Sequence, residues 1–386
     1  MPPNAGGTLS SRVAGACQRA GTDAGHAPVV STDEALGRAA ALLAAARRPV
    51  VVVGLEAREP AIAEATRTLV ETLCCPALVT YKAKGVIADD SAAYVGIFTG
   101  GAAEQAVVRE ADLIVLVGLD PVELILQPWP YDLPVLEIGW TRHPVHYVQA
   151  DCAVLGDPVV ALRALSAQAR SGQWAAGAIG EHRQRMRASL SYQGSGSGLS
   201  PEVVVATAAE IARPLARWPR VTVDAGAHMF SATAFWPCHE PNGLLISNGL
   251  ASMGFALPAG IAAALHEPGR SVVAFTGDGG LMMCLGELAT AVEQRAKLVV
   301  IVFNDGALSL IDIKQQSREL PATGVRWAQP DFAAVMQGLG GLGLVADSPH
   351  RYRAALERAF AADGPALIDV RVDPSGYPAQ LRAMRG

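Results

Sequence analysis

The stretch Ala274–Gly306, AFTGDGGLMMCLGELATAVEQRAKLVVIVFNDG, decides how the chain reads. Two apolar runs, SVVAF ending at Phe275 and LVVIVF ending at Phe303, each leave through an acidic, glycine-bearing turn. Short β-branched and aromatic runs closed by such turns read as buried strands. Asp278 and Asp305 stand 305 − 278 = 27 positions apart, one strand–helix–strand step. A helix expected over about Leu285–Gln294 fills the interval. The two aspartates therefore sit at neighbouring strand tips of a parallel sheet, where such sheets bind ligands. Gly277, Gly279 and Gly280 let the backbone approach an anion closely and present bare N–H groups. The start of the following helix adds its positive end. Two adjacent carboxylates repel unless a cation lies between them. Two carboxyl oxygens, a backbone carbonyl and phosphate oxygens together suit octahedral Mg²⁺. An aspartate that merely caps a turn explains either residue alone, since Asp–Gly is a common turn pair. The pair at this spacing points to a divalent cation that holds a diphosphate.

Outward from that stretch the same alternation continues. A second α/β unit is expected over residues 200–386, opened by Ser200 as a cap with Pro201 in the first helical turn. Its strands are read at RVTVDAG, GLLISN, SVVAFTGDG, LVVIVFND and PALIDVRVD. Residues 29–167 form another α/β unit, with strands at VVVVGL, PALVTY, DLIVLVGLD and PVLEIG. Its first helix starts near STDEALG, with Ser31 able to cap and Glu34 completing a capping box. The fold class is α/β: two domains, each a parallel sheet flanked by helices. The stretch VGLEAREP lacks a G-x-G-x-x-G, so a bound dinucleotide is not expected in the earlier unit. Residues 168–199, ending in YQGSGSGLS, read as the connection, and 1–28 as a flexible leader.

Composition narrows the class of function. The chain has 386 residues, 51% of them apolar and 17% charged, with a net charge of −5. No basic stripe supports nucleic-acid binding. The apolar runs are too short to span a bilayer, and no signal pattern opens the chain. The six cysteines show no metal-ligand or C-x-x-C spacing. A cytoplasmic protein with reduced thiols is expected.

The motif GDGG followed by FND resembles the signature of the thiamine-diphosphate-dependent enzymes. The resemblance implies that Asp278, Asp305 and the main-chain oxygen of Ala307 bind Mg²⁺. Asp305 stands where the family more usually has Asn, and Asn304 is the neighbouring alternative. Two further stretches are similar to the acetolactate-synthase-like branch. VDAGAHMFSATAF implies diphosphate contacts at Ala225, Gly226, Ala227 and His228. SNGLASMGFALPAGIAAAL implies cofactor contacts at Ala251, Ser252 and Met253, with Met253 forcing the cofactor rings into a V. Gly277, Gly279, Gly280, Asn304 and Leu308 complete the implied cofactor site. The implied catalytic pair is Met253 and His228. RPVVVVG, LVTYKAKGVIADD, YVGIFTG and EADLIVLVGLD resemble the family's middle domain, a Rossmann-like unit, so that the likeness covers about residues 30–378. VGLDPVELILQPW stands where FAD-binding members carry an Arg and acidic pair, so FAD is not expected.

No G-H-E-x-x-A stretch, which in the family carries the pyrimidine domain's glutamate, is present in the sequence. The resemblance therefore implies a split enzyme: a separate pyrimidine-domain chain supplies that glutamate, in an assembly of two plus two. It implies decarboxylation of a small 2-oxo acid followed by carboligation. A simple 2-oxo acid decarboxylase subunit and a non-catalytic cofactor- or nucleotide-binding module are the alternatives. LSLIDIKQQSREL is expected to border the substrate site, with Asp312, Lys314 and Gln315 as polar contacts, or to be a solvated helix face.

Overall fold

The computed structural model describes residues 32–124, 128–143, 148–192, 196–247 and 250–385. The expected leader and Ser31 lie outside the described residues. Thr32 is the cap instead: its side chain accepts from the Ala35 amide at 3.2 Å, ahead of the helix Asp33–Ala45.

Two parallel six-stranded sheets organise the chain. The first contains β1 (Pro49–Val53), β2 (Ala77–Val79), β3 (Tyr94–Ile97), β4 (Leu113–Val117), β5 (Val135–Gly139) and β6 (Cys152–Leu155) in the order β3-β2-β1-β4-β5-β6. The second contains β7 (Arg220–Val223), β8 (Leu244–Ile246), β9 (Val272–Gly277), β10 (Leu298–Asn304), β11 (Leu342–Ala346) and β12 (Ala366–Arg371) in the order β11-β12-β10-β9-β7-β8. Three strands, β3, β6 and β11, lie where the sequence periodicity predicts none.

The sequence explains the layering. Every residue of β1 (PVVVV) and of β10 (LVVIVFN) is buried. Helices cover both faces of a parallel sheet, so its central strands need apolar side chains on both. Each fully buried Val, Ile or Leu contributes about 1.5–3 kcal/mol. Ser200 and Pro201 open the helix Pro201–Ala212 as expected, with the Ser200 side chain accepting from the Val203 amide. No helix among the described residues is long and apolar enough to cross a membrane.

The stretch 168–199 is not extended throughout. It contains the helix Ala178–Leu190, which buries Ala178, His182, Met186 and Leu190 along one narrow stripe. This helix lies against β3 and against the helices His228–Phe235 and Tyr377–Arg385. The His182 Nε2 stands 3.0 Å from Glu110. The helix Tyr377–Arg385 then returns to the first sheet's domain. There the Met384 carbonyl accepts from Thr99 Oγ1 at 2.6 Å, and the Ala383 carbonyl accepts from the Ala102 and Ala103 amides.

In the second sheet the chain direction of winding reverses between β7 and β9, which are adjacent although β8 lies between them in sequence. Such a reversal splays the connections and opens a crevice at the carboxyl ends of the strands. The β9 and β10 exits are neighbours there, paired from Leu298↔Val272 to Phe303↔Gly277.

Candidate cofactor site

A cavity of about 190 Å³ opens at the exits of β7, β9 and β10. Most of the residues expected at a cofactor site line it: Ala225 to His228 after β7, Ala251 and Met253, Gly277 to Gly280, and Asp305, Ala307 and Leu308. Tyr377 and Ile311 also line it.

Asp278 begins the helix Asp278–Met283 and is 2% exposed. Its Oδ1 accepts from the Gly279 amide at 2.7 Å and its Oδ2 from the Gly306 amide at 2.8 Å. The second of these bonds binds the β9 exit to the β10 exit. Asp305 accepts from the Ala307 amide at 3.3 Å and from the Ser309 hydroxyl. Burial, and then the charge of Asp305, push the Asp278 carboxyl up to about 7. Burial is also the main cause that pushes Asp305 up to about 6. Both groups thus resist ionising in the absence of a cation.

The glycines serve close approach. A Cβ on Gly279 would stand 2.6 Å from Leu308 Cδ2, and one on Gly226 would stand 2.7 Å from the His228 ring. His228 is buried, stacks on Phe303 with centroids 5.2 Å apart, and leaves its Nε2 without a partner among the described residues. Burial pushes its pKa down to about 4, against the pull of Asp224. The ring is therefore neutral at pH 7.

The lining contains no Lys or Arg, and its one imidazole is neutral. A diphosphate beside Asp278 and Asp305 therefore needs a bridging cation. No group of three or more His, Cys, Asp or Glu side chains that could hold a metal occurs among the described residues. Two carboxylates and the exposed main chain of the loop leave most coordination positions for ligand oxygens and water. That donor set fits Mg²⁺, which keeps waters and binds through one or two carboxylates together with phosphates.

Several expected positions fall elsewhere. The Asn304 side chain donates from Nδ2 to Asp369 at 2.8 Å and to the Pro330 carbonyl at 3.1 Å, so it does not line the cavity. Successive residues of a strand face opposite ways, which separates Asn304 from Asp305. Ser252 is exposed and outside the lining. Of the helix Ser309–Ser317, the residues on the cavity are Ser309, Leu310 and Ile311. Asp312 turns to Arg326 at 2.8 Å, and Lys314 and Gln315 are not in the lining. The helix expected over Leu285–Gln294 begins earlier, at Asp278, breaks after Met283 and resumes at Glu287–Glu293.

The profile of the thiamine pyrophosphate enzyme C-terminal TPP binding domain matches residues 224–370, and that of the same enzymes' central domain matches residues 36–165. The chain belongs to the thiamine pyrophosphate enzymes. It carries their central and C-terminal domains, and the β7–β10 cavity lies within the TPP-binding domain. Among its relatives is the acetolactate synthase of Bacillus subtilis (strain 168), 28% identical over 359 residues, which are 89% of this chain and 62% of the relative. The acetolactate synthase of Mycobacterium bovis is 31% identical over 373 residues, 88% of this chain and 58% of the relative. The acetolactate synthase isozyme 1 large subunit of Escherichia coli (strain K12) is 38% identical over 156 residues, 40% of this chain and 28% of the relative. The chain spans about three-fifths of the length of the first two relatives.

A second cavity of about 150 Å³ adjoins the first, sharing Ala225 and Ala251 with it. It lies between the two sheets' domains and is lined by Tyr81, Lys82, Thr99 and Glu123 from one side and by Met229, Ile246 and Ser247 from the other, with Arg385. The Lys82 ammonium donates to the Ile246 carbonyl. Burial and then the nearby Arg58 push Lys82 down to about 8, while burial raises Glu123 to about 7. Nothing in local sequence pattern singles out Lys82 or Arg385, because only the folded chain brings them together.

Proposed function

We propose that this chain is the diphosphate-binding part of a thiamine-diphosphate- and Mg²⁺-dependent enzyme that decarboxylates a small 2-oxo acid and joins the remainder to a second carbonyl compound. The observation that carries the proposal is the pair Asp278 and Asp305, held at adjacent strand tips in a cavity without a cationic lining. When bound, thiamine diphosphate supplies the electron sink that lets a 2-oxo acid lose CO₂.

The chain's own residues bind and orient. Asp278, Asp305 and the Ala307 carbonyl would hold the cation, which would supply the positive charge that a diphosphate needs in this cavity. The glycines at 226, 277, 279 and 280 expose main chain to the anion. The neutral His228 ring lines the cavity, and its buried, unpartnered Nε2 would be available to hydrogen-bond a bound diphosphate. Met253, Leu308 and Ile311 keep the reacting end apolar and exclude water. Lys82 and Arg385 in the adjoining cavity take the carboxylate of the 2-oxo acid, and Met229, Ile246 and Val122 take its apolar part.

We propose that the pyrimidine end of the cofactor meets a further domain, provided by a separate chain in an assembly of two plus two. Large apolar side chains stand exposed on elements that flank the cavity: Leu250 is 92% exposed, Met283 62%, Met282 52% and Ile311 43%. Exposed large apolar side chains beside the cavity support a protein–protein surface there. The five described cysteines are unpaired, in keeping with a reducing cytoplasm.

The test is calorimetric titration of thiamine diphosphate into the protein with and without Mg²⁺, for the wild type and Asp278→Ala. Binding that requires Mg²⁺ and is lost in the variant is expected. Equal affinity in the absence of the metal, or an unchanged affinity in the variant, overturns the metal assignment. CO₂ release from a panel of 2-oxo acids, measured with and without a pyrimidine-domain protein, tests the rest. Full turnover by this chain alone overturns the partner.

A further inference from the structure

We propose that Asp224 is a positioning residue for the cofactor: its buried carboxylate clamps the turn that carries Met253 and thereby fixes where that side chain stands. The proposal rests on the thiamine diphosphate reading of the cavity.

Asp224 follows β7 and is fully buried. Its Oδ1 accepts from its neighbour's amide, Ala225, at 3.0 Å and from the Phe255 amide at 3.1 Å. Its Oδ2 accepts from the Gly254 amide at 3.0 Å and from Thr276 Oγ1 at 2.9 Å. One carboxylate thus joins the β7 exit, the β9 exit and the turn ahead of the helix Ala256–His266. That helix has no side-chain cap from its own N-cap residue. Amides at a helix start lack intrahelical partners and favour a negative group. Asp224 provides one from a strand 30 positions earlier in the sequence.

The turn needs such a clamp. Ala251, two residues before Met253, has φ 49°, a left-handed conformation that a side chain disfavours, and Gly254 has φ 78°. Backbone of this kind persists only where the surroundings over-determine it. Around Met253 the turn is held by the two bonds to Asp224 and by one from the Ser252 amide to Ser247 Oγ at 3.1 Å. Gly280 makes room: a Cβ there would stand 2.2 Å from Asp224 Oδ2. With the turn held, Met253 lines the cavity, its Cε 3.5 Å from where a Cβ on Gly279 would stand. No local sequence pattern reports this role, because the two amides that clamp the turn, Gly254 and Phe255, lie 30 and 31 positions along the chain.

Asp224→Asn keeps the shape but replaces one acceptor oxygen by a donor, which in either orientation must then face at least one of the amides of Ala225, Gly254 and Phe255. Two ligands separate positioning from general damage. Mn²⁺ with inorganic pyrophosphate probes the diphosphate end alone, and thiamine diphosphate with Mn²⁺ probes the whole cofactor. The expected result is an affinity for thiamine diphosphate about tenfold or more below wild type, the loss of one ordinary charge-assisted hydrogen bond. Binding of Mn²⁺–pyrophosphate stays within about twofold, a difference too small to represent a lost contact. In a Met253→Ala background the Asp224→Asn change costs nothing further, since both act through one side chain. Equal losses for both ligands, no loss for either, or full additivity with Met253→Ala overturns the proposal. If the wild type binds thiamine diphosphate no more tightly than pyrophosphate, the cofactor reading itself fails, and the proposal with it. Unaltered circular dichroism in Asp224→Asn confirms that the comparison is made on folded protein.

Discussion

Asp305→Asn removes one of the two carboxyls that line the cavity while leaving shape and bonding nearly intact. The amide oxygen can still accept from the Ala307 amide, and the Ser309 hydroxyl can turn to accept from the new NH₂. In the native protein burial raises the Asp305 carboxyl from the ordinary 3.8 to about 6. That shift of about two units, at about 1.4 kcal/mol each, makes the ionised group cost the metal-free fold about 3 kcal/mol. The group binds its proton more tightly when folded than when unfolded. Its penalty is therefore absent below pH 4, grows as pH rises from 4 to 6, and is constant above. Asp278, raised partly by Asp305, gains as well. The expected outcome is a metal-free variant more stable than wild type by about 2–3 kcal/mol at pH 8 and equal to it near pH 4. Urea unfolding in EDTA across that range, followed by tryptophan fluorescence, measures the difference. Added Mg²⁺ should narrow it at pH 8, because the cation compensates two carboxylates in the wild type and one in the variant. A difference that is flat with pH, or a variant less stable than wild type at pH 8, refutes the electrostatic reasoning.

Lys82→Met should raise KM for the 2-oxo acid about tenfold, the scale of one charged contact, with cofactor affinity unchanged. In the wild type that substrate affinity should fall as pH rises through about 8, where Lys82 loses its proton; steady-state kinetics against pH measures both. Ile301→Ala, at a fully buried position in β10, should cost about 2–5 kcal/mol in chemical unfolding. His228→Ala should lower affinity for Mn²⁺–pyrophosphate, measured by calorimetry, with little effect on pH dependence between 5 and 8, since the native ring is already neutral there.

What sequence alone disclosed followed physical pattern. β9 and β10 were legible because long apolar runs end at Asp–Gly turns, and their tips hold the aspartates expected there. β11 escaped because Gly338, Gly340, Gly341 and Gly343 interrupt its approach and interior. β3 carries Gly96 in its interior, and the apolar run of β6 is confined to Cys152–Leu155 with Asp151 before it and Gly156 after it. The helix Ala178–Leu190 was hidden by its arginines, since one residue in about four is buried and the rest is polar surface. At the site, the motif singled out Asn304 and Asp305 together, but strand alternation sends the first toward Asp369. The roles of Asp224 and Lys82 were beyond reach for another reason: the Gly254 amide that Asp224 clamps and the Ile246 carbonyl that Lys82 meets lie 30 and 164 positions away.

The helix Tyr377–Arg385 behaves as a strut. At one end Tyr377 walls the cavity, and at the other the carbonyls of Ala383 and Met384 are bolted to the Thr99–Ala103 segment of the neighbouring unit. Swinging one half of the molecule against the other would drag on that wall. The two halves should accordingly melt together rather than in succession, and a single sigmoid in a calorimetric scan is the trace such bracing would leave.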